Sequence, residues 1–373
     1  MRPELSPCAV FCRVVDNYGD AGVALRLARQ LALEHGLDVT LYIDDVERAK
    51  RIAPAACRVA ILPLVAATTH SSAMLVIETF GCGIPDAYLD AMEARQPPPI
   101  WINLEYLSAE SWVDDAHGLP SPPPRRALRR WFFFPGFTSR SGGVLRERDL
   151  VELREAHARG LASHAHVWRS IGIDALPVNA LTVSLFCYPN RAARALLSQW
   201  IEGDEPVVCV VPEGVLSDAI AAIIGRTPSV REQARRSALT LIVAPLVDQI
   251  AFDARLCSCA LNFVRGEDSF VRAQLAARPL VWHIYPQADN AHLRKLAAFL
   301  DVYAEHLAPL PASALREFTN AWNAQDATGV ARTWKPFRSA LPALSGHARR
   351  WSDSMAATRD LASGLVEFAL ERL

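Results

Sequence analysis

The chain has 373 residues, a formal net charge of −1 and eight cysteines. That length exceeds one ordinary α/β core and suits two domains, and the balanced charge offers no basic stripe for nucleic acid and no acidic tail. No apolar run approaches the roughly 18–20 residues of a membrane-spanning helix, and the first residues lack a signal peptide's basic segment and long apolar core. A cytoplasmic protein with no membrane partner is therefore expected. The cysteines are scattered through apolar runs (Cys12, Cys187, Cys209), and Cys257 and Cys259 lack zinc-ligand spacing. They read as reduced core residues, and no metal site is expected.

In chain order, the first informative stretch is "AVFCRVV", residues 9–15, which is β-branched and aromatic and reads as a buried parallel strand. A helix follows, with Val23, Leu27, Leu31, Ala24 and Ala28 at helical spacing and Arg26, Arg29 and Gln30 on the other face. Between them lies "DNYGDAG", at the carboxyl end of the strand, where open α/β sheets hold their ligands. Glycines there usually let backbone N–H groups approach a phosphate. Asp16 and Asp20 would repel one, so this loop has another task; the plainer alternative is that both carboxylates cap the helix.

Strand-like runs then alternate with helical ones: "LDVTLYIDD", "AMLVIETFG", "PPIWINLEYL" and "RWFFFPGF". Within "RRALRRWFFFPGF" the arginines read as a solvated helix ahead of a core strand. A charged helical run at 147–170 leads to "IGIDALPVN", which reads as a linker. The pattern restarts at "LTVSLFCYPNRAARALLSQWI" and continues through "PVVCVVPEG", "LTLIVAPLV", "CALNFVR" and "RPLVWHIYP". Such alternation implies parallel sheets with crossover helices. The expected organisation is one Rossmann-like domain over residues 1–170, a second over 178–345, and a C-terminal helix within 346–373 packing back on the first. Two such domains facing across a cleft make the α/β GT-B architecture. A two-domain dehydrogenase shares the outline, but no "GxGxxG" follows any strand.

The block "CALNFVRGEDSFVRAQLAARPLVWHIYPQADNAHLRKL", residues 259–296, reads as strand, tight turn at Arg265–Gly266, helix from about Asp268, strand, and a loop into another helix. Asp268 and Ser269 are expected as N-cap residues, with the helix start offering N–H groups to a pyrophosphate. An ordinary β-α-β unit with a capped helix is the alternative. Glu267 beside the cap suits a ligand site better than a plain turn. Phe186 and Tyr188 share a side at a strand end, and Gln249 and Phe252 lie one helical turn apart past another. A ring and an amide together can hold a pyrimidine; each aromatic taken singly also fits a core.

With these segments in view, the chain resembles the EarP family of elongation factor P arginine rhamnosyltransferases along nearly its whole length. The carriers are "FCRVVDNYGDAGVALRLARQLA", "ETFGCGIPDAYLDAM", "WINLEYLSAESWV", "HGLPSPPP", "FFFPGFTSRSGGVLRE" and "RGEDSFVRAQLAARPLVWHIYPQADNAH". The resemblance implies an inverting GT-B enzyme that transfers rhamnose from dTDP-β-L-rhamnose to one arginine of elongation factor P, as a monomer without cofactor or essential metal. It places the catalytic carboxylates at Asp16, Asp20 and Glu267. Donor contacts fall on Phe186, Tyr188, Gln249, Phe252, Glu267, Asp268 and Ser269, with Asn17 and Gly19 as neighbours in the first loop. Asp20 would accept the proton, Asp16 would orient the guanidinium, and Glu267 would bridge acceptor and sugar hydroxyls. Ala21, Leu25 and Leu275 depart from the family pattern at packing positions. Another nucleotide sugar or acceptor, or a catalytically silent protein that docks on elongation factor P, are the alternatives.

Overall fold

The computed structural model describes residues 3–122, 128–158 and 164–373. The Pro123–Pro124 end of "HGLPSPPP", Arg125 and Arg126 of "RRALRRWFFFPGF", and residues 159–163 of the charged run lie outside the described residues. The chain divides into two compact units, Met1–Glu147 with Met355–Leu373, and Arg148–Ser354.

The first unit opens with β1 (Cys8–Cys12), α1 (Gly19–Leu33), β2 (Val39–Ile43), α2 (Val46–Ile52) and β3 (Ala60–Pro63). It continues through β4 (Leu75–Thr79), α3 (Asp86–Ala94), β5 (Ile100–Leu104), α4 (Trp112–Ala116), β6 (Pro120–Ser121) and β7 (Arg130–Phe133). The sheet order is β3-β2-β1-β4-β5-β7-β6, parallel except for β6. Period-two alternation divides β1 between two cores. Cys8, Val10 and Cys12 join α1 on one face, while Ala9 and Phe11 join Tyr88, Met92 and Trp101 on the other.

The second unit comprises α5 (Arg148–Ala158), α6 (His164–Ser170), β8 (Leu181–Leu185), α7 (Ala193–Glu202), β9 (Val207–Pro212), α8 (Ser217–Ile224), β10 (Gln233–Arg236) and β11 (Leu239–Ala244). It ends with α9 (Gln249–Ser258), β12 (Leu261–Arg265), α10 (Asp268–Leu275), β13 (Leu280–His283), α11 (Ala291–Ala304), α12 (Pro309–Asn323) and α13 (Ala327–Ala357). Its sheet runs β10-β11-β9-β8-β12-β13, with only β10 antiparallel. Setting aside the antiparallel edge strands, both sheets follow the Rossmann sequence 3-2-1-4-5. Their strand order reverses between β1 and β4 in one unit and between β8 and β12 in the other. The segments leaving β1, β8 and β12 carry all the candidate residues but Gln249 and Phe252, which follow β11.

Two expectations are revised. The units divide at 147/148 and 354/355 rather than at 170–178 and 345/346, because α5 packs on α9 and α10 of the second unit and α13 runs on through Pro336 and Pro342. The stretch "IGIDALPVN" is not a bare linker: Ile171 and Ile173 are buried with Trp168, Val208 and Ile242. Arg26, Arg29 and Gln30, on the other face of α1, are also buried. The cause is α14 (Leu361–Leu370), which belongs to the first unit and packs Leu361, Leu365 and Val366 into the core that α1 shares. Each such side chain contributes roughly 1.5–3 kcal/mol of burial. Beneath it Arg26 and Arg29 converge on the buried Glu147, and the Gln30 amide donates to the Arg146 carbonyl at 2.8 Å and to Asp360 at 3.0 Å.

Candidate active site

In the first unit the chain leaves β1 and turns through residues 13–18 into α1. Asn17 has φ 42, in the left-handed region that asparagine tolerates well. Gly19 is needed for space: a Cβ there would lie 2.7 Å from Asp16 Oδ2. Tyr18, not an aspartate, occupies the N-cap position. The Asp20 carboxylate instead reaches back, Oδ2 accepting the backbone N–H groups of Val15 and Asp16, each at 2.8 Å. Oδ1 accepts from the Tyr106 hydroxyl at 3.3 Å. Asp20 thus closes the loop upstream of the helix, which the capping alternative does not describe. It is buried, whereas Asp16 is partly exposed and Asn17 exposed.

Beside this loop, the chain leaving β4 carries Phe80, stacked on Tyr106 with ring centroids 4.0 Å apart and planes 6° from parallel. Glu78 supports that turn, accepting from the Gly83 N–H at 2.9 Å and pairing with Arg130 at 3.1 Å. Gly81 N–H donates to Asn103 Oδ1 at 3.1 Å, and the Asn103 amide donates to Glu105 at 2.7 Å.

In the second unit Phe186 and Tyr188 follow β8 on one side of the chain, as their spacing predicts. The Arg265 guanidinium lies over both rings, 4.3 Å and 5.0 Å from their centroids, and donates to the Cys187 carbonyl at 3.2 Å. Phe252, in the first turn of α9, meets Phe186 edge-on at 5.9 Å. Gln249 begins α9 and is buried, behind the N-cap Asp248, which accepts from Ala251 N–H at 2.8 Å.

The start of α10 corrects the expected cap. Glu267, not Asp268 or Ser269, holds the N-cap position and makes no side-chain capping bond. Ser269 is buried, and its hydroxyl donates to the Arg265 carbonyl at 2.5 Å while accepting the Arg265 N–H at 3.1 Å. The turn itself is locked by Gly266, at φ 59, whose carbonyl accepts from Trp282 Nε1 at 2.8 Å. Glu267 and Asp268 are partly exposed at the helix start. His283 ends β13 opposite Arg265, with its ring against Tyr188 at 5.4 Å. Burial, then the Arg265 charge and His292, push its pKa down to about 4.

The structure therefore gathers Asp16, Asn17, Gly19 and Asp20 in one unit, and Phe186, Tyr188, Phe252, Glu267, Asp268 and Ser269 with Arg265 in the other. Sequence reasoning missed Tyr106, Phe80, Arg265 and His283 as site residues. The signal for Arg265 was available, since a cation ending a strand beside two strand-end aromatics invites a cation–π contact. Tyr106 gave none locally, because its partner Asp20 lies 86 residues away.

Two carboxylates on a first-strand loop, and a cation over two rings at the second sheet's switch point, suit a sugar-transferring enzyme of the two-Rossmann GT-B class. The Acinetobacter baumannii MurG structure shares the fold at a TM-score of 0.50 and 12% identity, over 98% of this chain and 99% of that one. The profile of the family described as elongation factor P rhamnosyltransferase EarP matches residues 8–370, and the chain belongs to that family. A protein-arginine rhamnosyltransferase of Pseudomonas putida is 44% identical over 370 residues, covering 96% of this chain and 97% of its own. Its Pseudomonas aeruginosa counterpart is 42% identical over the same shares. A solved EarP structure, described as the basis of arginine glycosylation of translation elongation factor EF-P, superposes with a TM-score of 0.73. It is 33% identical, over 98% of this chain and 99% of that one.

Proposed function

We propose that this glycosyltransferase moves L-rhamnose from dTDP-β-L-rhamnose to one arginine of elongation factor P with inversion, as a cytoplasmic monomer needing no metal. Membership of the family supports donor and acceptor. The observation that carries the chemistry is the Asp16–Asp20 loop. A guanidinium has a pKa above about 12 and delocalised lone pairs, so it must be oriented and must lose a proton as it attacks. A carboxylate matches its geometry and can take that proton.

In this reading one guanidinium nitrogen attacks the anomeric carbon. The C–N bond forms on the face opposite the breaking C–O bond, the proton passes to Asp20, and dTDP leaves with the bonding pair. Asp16 orients the guanidinium, and Glu267 holds acceptor and sugar hydroxyls. Phe252 and Gln249 take the thymine. The α10 start and Arg265 offset the charge of the departing diphosphate. Intact-mass analysis of elongation factor P, incubated with the protein and dTDP-rhamnose, tests this directly. A gain of one deoxyhexose on arginine is expected; an unchanged mass with intact donor refutes it.

A further inference from the structure

The loop that carries Asp16 and Asp20 is held from two sides. On one side Asp20 accepts the Val15 and Asp16 N–H groups, and Gly19 N–H donates to the Asp16 carbonyl at 2.6 Å. On the other, the junction of β2 and α2 grips the loop at two points. Asp44 accepts the Val14 N–H at 3.0 Å. The Arg48 guanidinium donates to the Asn17 carbonyl at 3.2 Å and lies 5.5 Å from the centre of the Tyr18 ring. Asp45, the N-cap of α2, anchors that guanidinium at 3.1 Å and accepts the Arg48 N–H at 2.9 Å. Asn17 and Tyr18 are the two residues between Asp16 and Gly19, and a Cβ at Gly19 would meet Asp16 Oδ2 at 2.7 Å. The position of the Asp16 carboxylate therefore depends on the backbone that Arg48 grips. Asn17 itself stands at φ 42, a conformation that persists where the surroundings fix it.

We propose that Arg48 is a positioning residue for the transfer: by holding Asn17 and Tyr18 it fixes the Asp16 carboxylate where that group orients the acceptor guanidinium. This rests on the arginine acceptor and the Asp16 role proposed above. Arg48 suits the task because its fork reaches two partners at once, the Asn17 carbonyl and Asp45, while lying over a ring. A cation this near a loop that receives another cation needs its charge offset, and Asp45 supplies the offset. Arg48 thus acts on the acceptor and not on the thymine, whose candidate contacts Gln249 and Phe252 belong to the other unit.

The test uses the full-length protein with saturating dTDP-rhamnose and unmodified elongation factor P as the varied substrate. Arg48→Met keeps the stem and removes the fork. It should lower the acceptor kcat/KM roughly 3- to 30-fold, the scale of one charge-assisted bond at a partly exposed site. Calorimetric affinity for dTDP should stay unchanged, and a thermal melt should show the variant folded. Arg48→Lys offers one ammonium to the Asn17 carbonyl and should recover part of the loss, which a residue serving only as bulk would not do. Glu47→Gln, on the same turn of α2 and paired with the exposed Lys50, should leave acceptor kinetics unaltered. A loss there equal to that of Arg48→Met would mean a general effect of charge on α2 and overturn the role. If the methionine variant fails to fold, Asp45→Asn decides: asparagine keeps the cap but loosens the anchor, so acceptor kcat/KM should fall by a smaller factor, and an unchanged value overturns the role. Normal acceptor kinetics in folded Arg48→Met, no recovery by lysine, or dTDP affinity falling in step each overturn it too. No transfer by the unaltered protein overturns the arginine reading and the Arg48 role with it; transfer insensitive to Arg48 overturns the Arg48 role alone.

Discussion

Replacing Asp20 by asparagine separates chemistry from architecture more cleanly than any other change at this site. The side chain accepts two backbone N–H groups through Oδ2 and a phenol through Oδ1. Asparagine can present its carbonyl oxygen to the two N–H groups and keep the loop closed, while its amide faces Tyr106, whose hydroxyl can turn to accept. What is lost is the charge assistance of three hydrogen bonds, on the order of 1–3 kcal/mol in total given that charged bonds are about twice as strong as neutral ones. A domain stable by roughly 5–15 kcal/mol survives that, so the variant should fold with a modestly lower Tm. The capacity to accept a proton is lost outright, and kcat should fall by roughly 10²- to 10⁴-fold. Donor affinity, read by dTDP calorimetry, should not move. The assay is initial-rate rhamnosylation of elongation factor P by mass spectrometry, beside a thermal melt. Near-normal turnover by a folded Asp20→Asn protein would falsify the assignment and reduce the loop to a structural turn.

Gly19→Ala should abolish most turnover with little change in Tm, because the new methyl would lie 2.7 Å from Asp16 Oδ2 and push that carboxylate aside; full activity would show that the Asp16 position is not used. Phe252→Ala should weaken dTDP binding by about 1–3 kcal/mol, by analogy with base–aromatic stacking, and unchanged calorimetric affinity would return Phe252 to the core. Turnover should survive EDTA; loss on chelation with recovery on adding magnesium would overturn the metal-independent reading. His283, at about 4 in the folded chain against 6.5 unfolded, binds its proton more readily when unfolded. Its contribution is therefore complete above pH 6.5 and is lost as pH falls through 4, amounting to about 3 kcal/mol. His283→Phe should flatten that part of the Tm–pH curve, and an unaltered slope would refute the attribution.

Most parallel strands were legible because each is a short β-branched run bounded by turn residues; the parallel edge strand β3, only four residues long and partly exposed, was not. Nor were the short antiparallel edge strands. Gln233–Arg236 is polar, with one buried residue in four, and leaves no periodic signal. The burial of Arg26, Arg29 and Gln30 was hidden because their partners, Glu147, Arg146 and Asp360, are more than 100 residues away. The candidate carboxylates stood out because two acids in a loop that usually meets phosphate contradict the ordinary use of that loop. The expected Ser269 cap failed for a local reason. A hydroxyl one turn beyond a strand end can close the turn on Arg265 as readily as it can cap the helix, and spacing alone does not choose between them.

The two units show how little of the chemistry the fold itself decides. Both order their parallel strands 3-2-1-4-5, and both place candidate residues on loops leaving the strands that flank the reversal. In the first unit the loops after β1 and β4 supply Asp16, Asp20 and Phe80; in the second, those after β8 and β12 supply Phe186, Tyr188, the strand-end Arg265 and Glu267. A carboxylate loop repels phosphate and attracts a guanidinium, while a guanidinium resting on two rings does the reverse, attracting a nucleotide diphosphate beside an aromatic surface. On the function proposed above, exchange of a few side chains at equivalent positions suits one unit to a cationic acceptor and the other to an anionic donor. On the same reading, arginine chemistry enters through the residues after the first strand. An Asp16→Asn variant, which leaves the second unit untouched, should therefore lose transfer yet bind dTDP with undiminished affinity.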